Sequence, residues 1–125
     1  MATDVNIPDV VQPGFALRAA LDAAGLQFHL TGSADARATP ALEVFMQHVH
    51  AEARRLAVAE VVVDLRGCSF MNSSCFKAFL GWFAAVSEQP LEAQYTIRFL
   101  WNAGSYWQRR GLQALKAYAP TVVQL

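Results

Sequence analysis

Charge is scarce in this sequence. Its 125 residues include ten Lys plus Arg and ten Asp plus Glu, so charged residues make up only 16% of the chain and the formal net charge is zero. An average soluble domain has about a quarter of its residues charged. A neutral chain has no long-range attraction for a polyanion, which argues against a nucleic-acid partner.

Long apolar runs and export signals are missing as well. No run approaches the roughly 18 to 20 apolar residues of a membrane span, and residues 1–9 carry acids, no base and no apolar segment of the signal-peptide kind. We therefore expect a cytoplasmic protein with no membrane partner. Cys68 and Cys75 are too few for a disulfide framework and lack the spacing of zinc ligands, so we expect two reduced thiols and no metal site.

Motifs for catalysis and cofactor binding are sparse. The sequence has no glycine-rich dinucleotide or P-loop motif, and Asn-Ser-Ser-Cys (72–75) lacks the flanking glycines of a nucleophile elbow. His48 and His50 lie about 200° apart around a predicted helix and cannot share a metal ion. We expect no enzyme and no cofactor. An enzyme that uses Cys75 or Ser74 as nucleophile is the alternative, and it would need a base beside that residue.

Apolar residues, in contrast, make up 54% of the chain, enough for one core. We expect a single domain over 1–125, in which residues 1–12 are a loose lead-in. Alternating and helical patterns of apolar residues predict an α/β fold with the element order β-β-α-β-α-β-α-β. The strands are expected to form one mixed sheet, in which an N-terminal hairpin is followed by parallel strands. The predicted elements are strands Phe15–Leu21 and Leu26–Thr31, a helix from Thr39 to about Ala57, strand Val61–Leu65, a helix from Asn72 to Gln89, strand Tyr95–Trp101, helix Ser105–Tyr118 and strand Val122–Leu125.

Local sequence signals predict the start of the first helix. They do not decide the structural roles of two tryptophans, Trp82 and Trp107. Thr39 followed by Pro40 predicts an N-cap and a proline in the first helical position. The apolar stripe predicted for the second helix consists of Phe76, Phe79, Leu80, Phe83 and Val86, and Trp82 lies outside it. For Trp107 a surface contact and a packing role are equally compatible with the sequence.

The segment from Gly67 to Ser74 is where the sequence points to function. It follows a buried strand, and sites in such sheets lie at the carboxyl ends of strands. One capping residue would explain Asn or Ser at a helix start, but Asn72, Ser73 and Ser74 are three polar residues in a row. They occupy a helix N-terminus, where a phosphate on a serine is tolerated and adds about −1.5 to −2 charges. Capping alone and phosphorylation both remain open at this point.

The stretch from Val61 to Phe76, VVVDLRGCSFMNSSCF, resembles the signature of STAS domains, the bacterial anti-sigma-factor antagonists and their relatives. In them a hydrophobic strand, a short loop and Asp-Ser-Ser-Gly or Asp-Ser/Thr-Ser-Gly lead into a helix, and the predicted element order agrees with that fold. The resemblance implies a non-catalytic signalling module. A serine protein kinase would phosphorylate the second hydroxyl, Ser74 (Ser73 is the second choice), a PP2C-type phosphatase would reverse this, and the unmodified form would bind its partner.

Two positions depart from that signature, because Asn72 replaces the acid and Cys75 replaces the glycine. Asn caps a helix about as well as Asp, so the same fold is expected. The combination of Asn72 with Tyr-Trp-Gln (106–108) resembles a branch of STAS-like regulators that bind signalling enzymes such as diguanylate cyclases. The expected partner-binding residues are Met71, Asn72, Ser73, Cys75 and Lys77. The alternative is a STAS-like interaction or small-ligand-binding domain without a phosphorylation switch.

The few charges are unevenly distributed. Nine lie between Asp35 and Arg66, whereas only four lie between Gly67 and Gln108. Burying a charge at an interface is costly. The charge-poor segment, which includes the serines and the second helix, is therefore the predicted docking face.

Overall fold

The computed structural model describes residues 5–23 and 25–125. Seven strands and three helices follow one another along the described chain. They are β1 Val10–Gln12, β2 Phe15–Asp22, β3 Gly25–Ala34, α1 Thr39–Leu56, β4 Glu60–Asp64, β5 Cys68–Met71, α2 Ser73–Ser87, β6 Thr96–Leu100, α3 Tyr106–Tyr118 and β7 Val123–Gln124. Short 3-10 turns at Ala36–Ala38 and Leu91–Ala93 precede α1 and β6.

The strands form one mixed sheet in the order β1-β2-β3-β4-β6-β7. β1, β2 and β3 are antiparallel neighbours, whereas β4, β6 and β7 pair in parallel. β3 is long enough to pair in parallel with β4 over its first half and with β5 over its last residues. This arrangement confirms the predicted fold class, a hairpin followed by parallel strands.

Two strands were not predicted. Val10 to Gln12, placed in the loose lead-in, form β1 because they pair with β2 through the tight turn at Gly14. Residues 1–4 of that lead-in and Ala24 of the predicted hairpin turn lie outside the described residues. Cys68 to Met71, placed in a connection, form β5 because the end of β3 extends past β4 and leaves its edge free for pairing.

A close approach of two backbones explains the glycine near the end of β3. Gly32 has φ +88°, a conformation that favours glycine, and a Cβ there would overlap the Gly14 carbonyl oxygen. Ser33 N–H donates to that same oxygen at 2.8 Å. The contact fixes the β1–β2 turn against β3, and the strand register shifts between Gly32 and Ser33.

The helices pack on one face of the sheet, where the core lies. Phe28 of β3 contacts Phe45 of α1 and Trp82 of α2, and Phe99 of β6 contacts Phe79 of α2. Trp82 is only 4% exposed, so it belongs to the core although the predicted stripe excluded it. None of the described helices has the length and apolar character that a bilayer crossing requires.

The opposite face of the sheet carries polar side chains. His29 and Asp64 lie side by side on β3 and β4, and Arg98 of β6 pairs with Glu60 of β4 at 3.1 Å. Val62 is buried among these side chains but is not part of the core. The candidate site at the start of α2 therefore lies on the helical side, at the carboxyl end of β5.

Candidate functional site

Asn72 directly follows β5 and is the first residue of the site. Asn72 N–H donates to the Ala34 carbonyl at 2.7 Å, which anchors the connection to the end of β3. Asn72 Oδ1 accepts from the Ser74 N–H at 2.9 Å and satisfies one of the free amide groups of the first turn. The predicted capping role of this segment is confirmed, and Asn72 performs it.

The Ser74 hydroxyl lies between two helices. It donates to Asn72 Oδ1 at 2.8 Å, and it lies 2.6 Å from the Thr39 hydroxyl at the start of α1. A hydroxyl has one proton, and an amide oxygen can only accept. The Thr39 hydroxyl must therefore donate to Ser74, so that the order of donation runs from Thr39 to Ser74 to Asn72.

Thr39 does not cap its own helix, which corrects the prediction. The 3-10 turn Ala36–Ala38 leads directly into α1, so Ala38 occupies the cap position with no side-chain hydrogen bond. Asp35 caps that turn by accepting from the Arg37 N–H at 2.9 Å. Pro40 lies in the first turn of α1, at the second helical position rather than the predicted first, because the helix begins at Thr39. The Thr39 side chain is therefore available for its hydrogen bond to Ser74 of α2.

Cys75 points into the protein, under the start of α2. It is fully buried, and its Sγ lies 3.3 Å from Thr39 Oγ1 and 3.6 Å from the Asp35 carbonyl oxygen. Met71 is also buried. The partner contacts expected of Cys75 and Met71 do not fit this burial. Their side chains support the site from beneath.

The other expected residues are at the surface. Ser73 and Lys77 are exposed, and Asn72 and Ser74 are half-buried. Within the described residues, the Ser73 hydroxyl has no hydrogen bond and Lys77 has no ion pair. The site thus has the free hydroxyl of Ser73, the engaged hydroxyls of Ser74 and Thr39, and the cation of Lys77 one turn further along α2.

Sequence reasoning missed Thr39 as a member of the site, and it missed the role of Gln108. Gln108 is 1% exposed, and its amide nitrogen donates to the carbonyls of Leu65 at 2.9 Å and Cys68 at 3.1 Å. Its amide oxygen accepts from Asn102 N–H at 2.7 Å. Gln108 therefore connects α3 to the loop that leads into β5. A buried polar residue inside the apolar face of α3 is the signal that could have indicated this role.

Aromatic packing joins α2 to α3 beside the site. Phe76 and Trp107 meet edge to face with ring centroids 6.3 Å apart. A Cβ at Gly111 would overlap the Phe76 ring, so the glycine allows the two helices to approach closely. Trp107 is half-buried in this contact. The structure thus gives Trp107 a packing role, and the surface role stays open.

An ion pair holds the loop before β5. Asp64 is buried, and both of its oxygens accept from Arg66, at 3.0 Å from Nε and 2.9 Å from Nη2. These hydrogen bonds hold the pKa of the Asp64 carboxyl below its usual value, although burial opposes them. Burial raises the pKa of the Cys68 thiol to about 11, so this thiol is inert at neutral pH.

The surroundings of Ser74 and Cys75 offer little for catalysis. Their side-chain hydrogen-bond partners are an amide, hydroxyl groups and main-chain carbonyls, none of which is a general base. A depression nearby, lined by residues that include Asp35, Arg37 and Phe15, has a volume of about 150 Å³. Small-molecule sites usually start at about 300 Å³. This depression is smaller than the small-molecule sites usually observed.

Comparisons with known proteins identify the fold. No protein-family model and no curated protein sequence matches the chain. A solved structure described as an anti-sigma factor antagonist from Mycobacterium paratuberculosis superposes with a TM-score of 0.62 at 17% identity, over 89% of this chain and 88% of that one. Like that antagonist, this chain has a STAS-like fold.

Proposed function

We propose that the chain is a non-catalytic signalling module that binds a partner protein at the start of α2 and is switched by phosphorylation of Ser74. The observation that carries the proposal is the position of the Ser74 hydroxyl, half-buried at the helix N-terminus between Thr39 and Asn72. The likeness to an anti-sigma factor antagonist supports this type of function.

Phosphorylation would change the hydrogen bonding at this position. The ester oxygen of a phosphoserine has no proton, so Ser74 would lose its donation to Asn72 Oδ1 and the two oxygens would repel each other. The Asn72 amide can rotate and offer its NH₂ group to the phosphate, which the carboxylate of the family signature cannot do. Asn72 is therefore compatible with a switch at Ser74.

Phosphorylation of Ser74 would also change the charge of the docking surface. Lys77 is the only charged residue of α2, and the partner-binding surface proposed around it consists of Asn72, Ser73 and Lys77. Burying a surface with so little charge has a small desolvation cost. A phosphate with about −1.5 to −2 charges would oppose that burial. The unmodified form is therefore the binding form.

The proposed partners are an anti-sigma-factor-like serine protein kinase and a PP2C-type phosphatase, or a signalling enzyme such as a diguanylate cyclase. The test is a pull-down from the source organism with wild type, Ser74→Ala, Ser74→Asp and Ser73→Ala as baits. Intact mass of the endogenous chain measures phosphate. We expect one phosphate, located on Ser74, and a partner that binds wild type and Ser73→Ala but not Ser74→Asp.

The second candidate is an interaction module in which the serines only stabilise the helix. The observation that favours it is the engagement of the Ser74 hydroxyl in two hydrogen bonds that tie α1 to α2. In that case the endogenous chain carries no phosphate, and enzymatically phosphorylated and unmodified protein bind the partner equally. This outcome would refute the switch.

A further inference from the structure

The two ends of the sheet differ in how their outer edges are protected. β7 at one end has only two residues, and Lys116 Nζ donates to the carbonyl of Val123 at 2.7 Å. Short strands and lysines are common devices that keep a sheet edge from pairing with another chain. β1 at the other end, Val-Val-Gln (10–12), carries no charged side chain, and no strand within residues 5–23 and 25–125 pairs with its outer edge. The β1 edge is therefore open to a further strand.

The turn that follows β1 determines which of its backbone groups are free. Pro13 and Gly14 form the two-residue turn between β1 and β2. Gln12 lies opposite Phe15 across this turn. The residues that flank such a turn exchange hydrogen bonds, and in an antiparallel pair hydrogen-bonded and non-hydrogen-bonded positions alternate. Val11 is thus at a non-hydrogen-bonded position, and both its N–H and its C=O point away from β2. Val11 is also 67% exposed.

An apolar depression adjoins the same edge on the helical side of the sheet. Val10 lies opposite Leu17 of the core, so its side chain is on this side. It lines a depression of about 440 Å³ between β1 and α1. Val44 of α1, which is 52% exposed, lines the depression too, and His48 is its one polar lining residue. The open edge is thus continuous with apolar surface on α1.

Three features of this surface select a second copy of the chain as its occupant. Proline has no N–H to donate, so Pro8 and Pro13 limit pairing to the residues between them, and a second β1 is a strand of that same length. A two-fold axis through Val11 lets each copy donate its N–H to the other and accept in return, as a self-complementary interface requires. β1 has no charge to attract a partner of opposite charge, and because the net charge of the chain is zero, two copies do not repel each other.

We infer that β1 is the interface of a two-fold symmetric dimer, in which the β1 strands of two copies pair antiparallel, Val11 against Val11, and the depressions beside Val44 close against each other. Since each copy uses its β1 edge and the β7 edge is protected, association ends at two copies and does not continue into a fibre. The inference is independent of the proposed switch, because it requires neither a phosphate nor another protein.

Sedimentation equilibrium of the full chain, from micromolar to near-millimolar concentration, tests the inference. We expect a reversible equilibrium between monomer and dimer. Amide hydrogen exchange, recorded by NMR at the two ends of that range, locates the interface. The Val11 N–H should exchange more slowly at high concentration, whereas the Gln12 N–H, which already bonds to β2, should change little.

Matched variants test the contacts. Val11→Lys places two like charges opposite each other across the axis, and Val44→Glu places a carboxylate in each depression, so each should weaken dimerisation by at least about tenfold. Leu91→Lys is the control. Leu91 is 85% exposed and precedes β6, which three strands separate from β1, so dimerisation should be unchanged. All three positions are exposed, so in dilute solution the variants should keep the urea midpoint of the wild type.

Val11→Cys gives a second measurement that does not depend on added charge. Residues opposite each other at a hydrogen-bonded position have Cα atoms about 5.5 Å apart, a distance that a disulfide spans. Under air oxidation Val11→Cys should therefore form a linked dimer faster than Leu91→Cys. The inference is overturned if the wild type stays monomeric over the whole range, if Val11→Lys or Val44→Glu dimerises as wild type does, if the Val11 N–H gains no protection, or if Leu91→Cys links as fast as Val11→Cys.

Discussion

The hydrogen bond between Thr39 and Ser74 joins the starts of two helices, and its contribution can be isolated by a double-mutant cycle. Thr39→Val keeps the shape of the side chain and removes the donor, and Ser74→Ala removes the acceptor. The bond is short, 2.6 Å, and lies between half-buried neutral groups, for which a net contribution of about 1 kcal/mol is typical. Ser74→Ala also removes the bond to Asn72, so it should destabilise by about 1.5 kcal/mol and Thr39→Val by about 1 kcal/mol.

Because both substitutions remove the same bond, the double variant should be destabilised by less than their sum, with a coupling free energy of about 1 kcal/mol. The assay is urea unfolding at equilibrium, followed by tryptophan fluorescence. Ser73→Ala is the control. Its hydroxyl is exposed, so the free energy of unfolding should change by less than about 0.5 kcal/mol. If the two effects add to within about 0.3 kcal/mol, the hydroxyls are not coupled and the hydrogen bond between them does not contribute to stability.

Three further substitutions test the surroundings of the site. Gln108→Leu should lower the free energy of unfolding by about 2 to 3 kcal/mol, because it leaves buried carbonyls without donors; unchanged urea midpoints would contradict this. Asp64→Asn should destabilise by about 1 to 2 kcal/mol at neutral pH. Since the folded pKa of Asp64 is depressed, its contribution exists above about pH 4 and is lost as the pH falls through the folded value, so the two unfolding curves should converge in acid. Gly32→Ala should destabilise by more than about 2 kcal/mol through strain and overlap with Gly14, whereas Gly104→Ala, which meets no atom, is the matched control in thermal melts.

The local patterns predict the helices and the longer strands, but they do not predict contacts between segments. Asn72 is identifiable as a cap because a cap bonds within its own turn. Thr39 is not identifiable as a partner of Ser74, because the two are 35 residues apart in sequence. β5 has two exposed residues between two buried ones, so it lacks the alternation that marks a strand.

The direction of Cys75 could have been predicted. It precedes Phe79 by four residues, and Trp82 and Val86 continue the same spacing, which together define the buried face of α2. The predicted stripe began instead at Phe76, which is rotated toward α3 and half-buried. The family signature has a glycine at the position of Cys75 and predicts a surface contact there, whereas this periodicity places Cys75 on the buried face.

The two adjacent serines differ in what a modifying enzyme would encounter. In the folded chain the Ser73 hydroxyl is available to an enzyme that approaches from solvent, whereas the Ser74 hydroxyl becomes available only after its bonds to Asn72 and Thr39 break. The position of a phosphate would thus record the conformation on which the kinase acted. Phosphorylation of Ser73 would indicate a kinase that binds the intact start of α2. Phosphorylation of Ser74 would indicate a kinase that acts after the hydrogen bonds of Ser74 to Asn72 and Thr39 have broken.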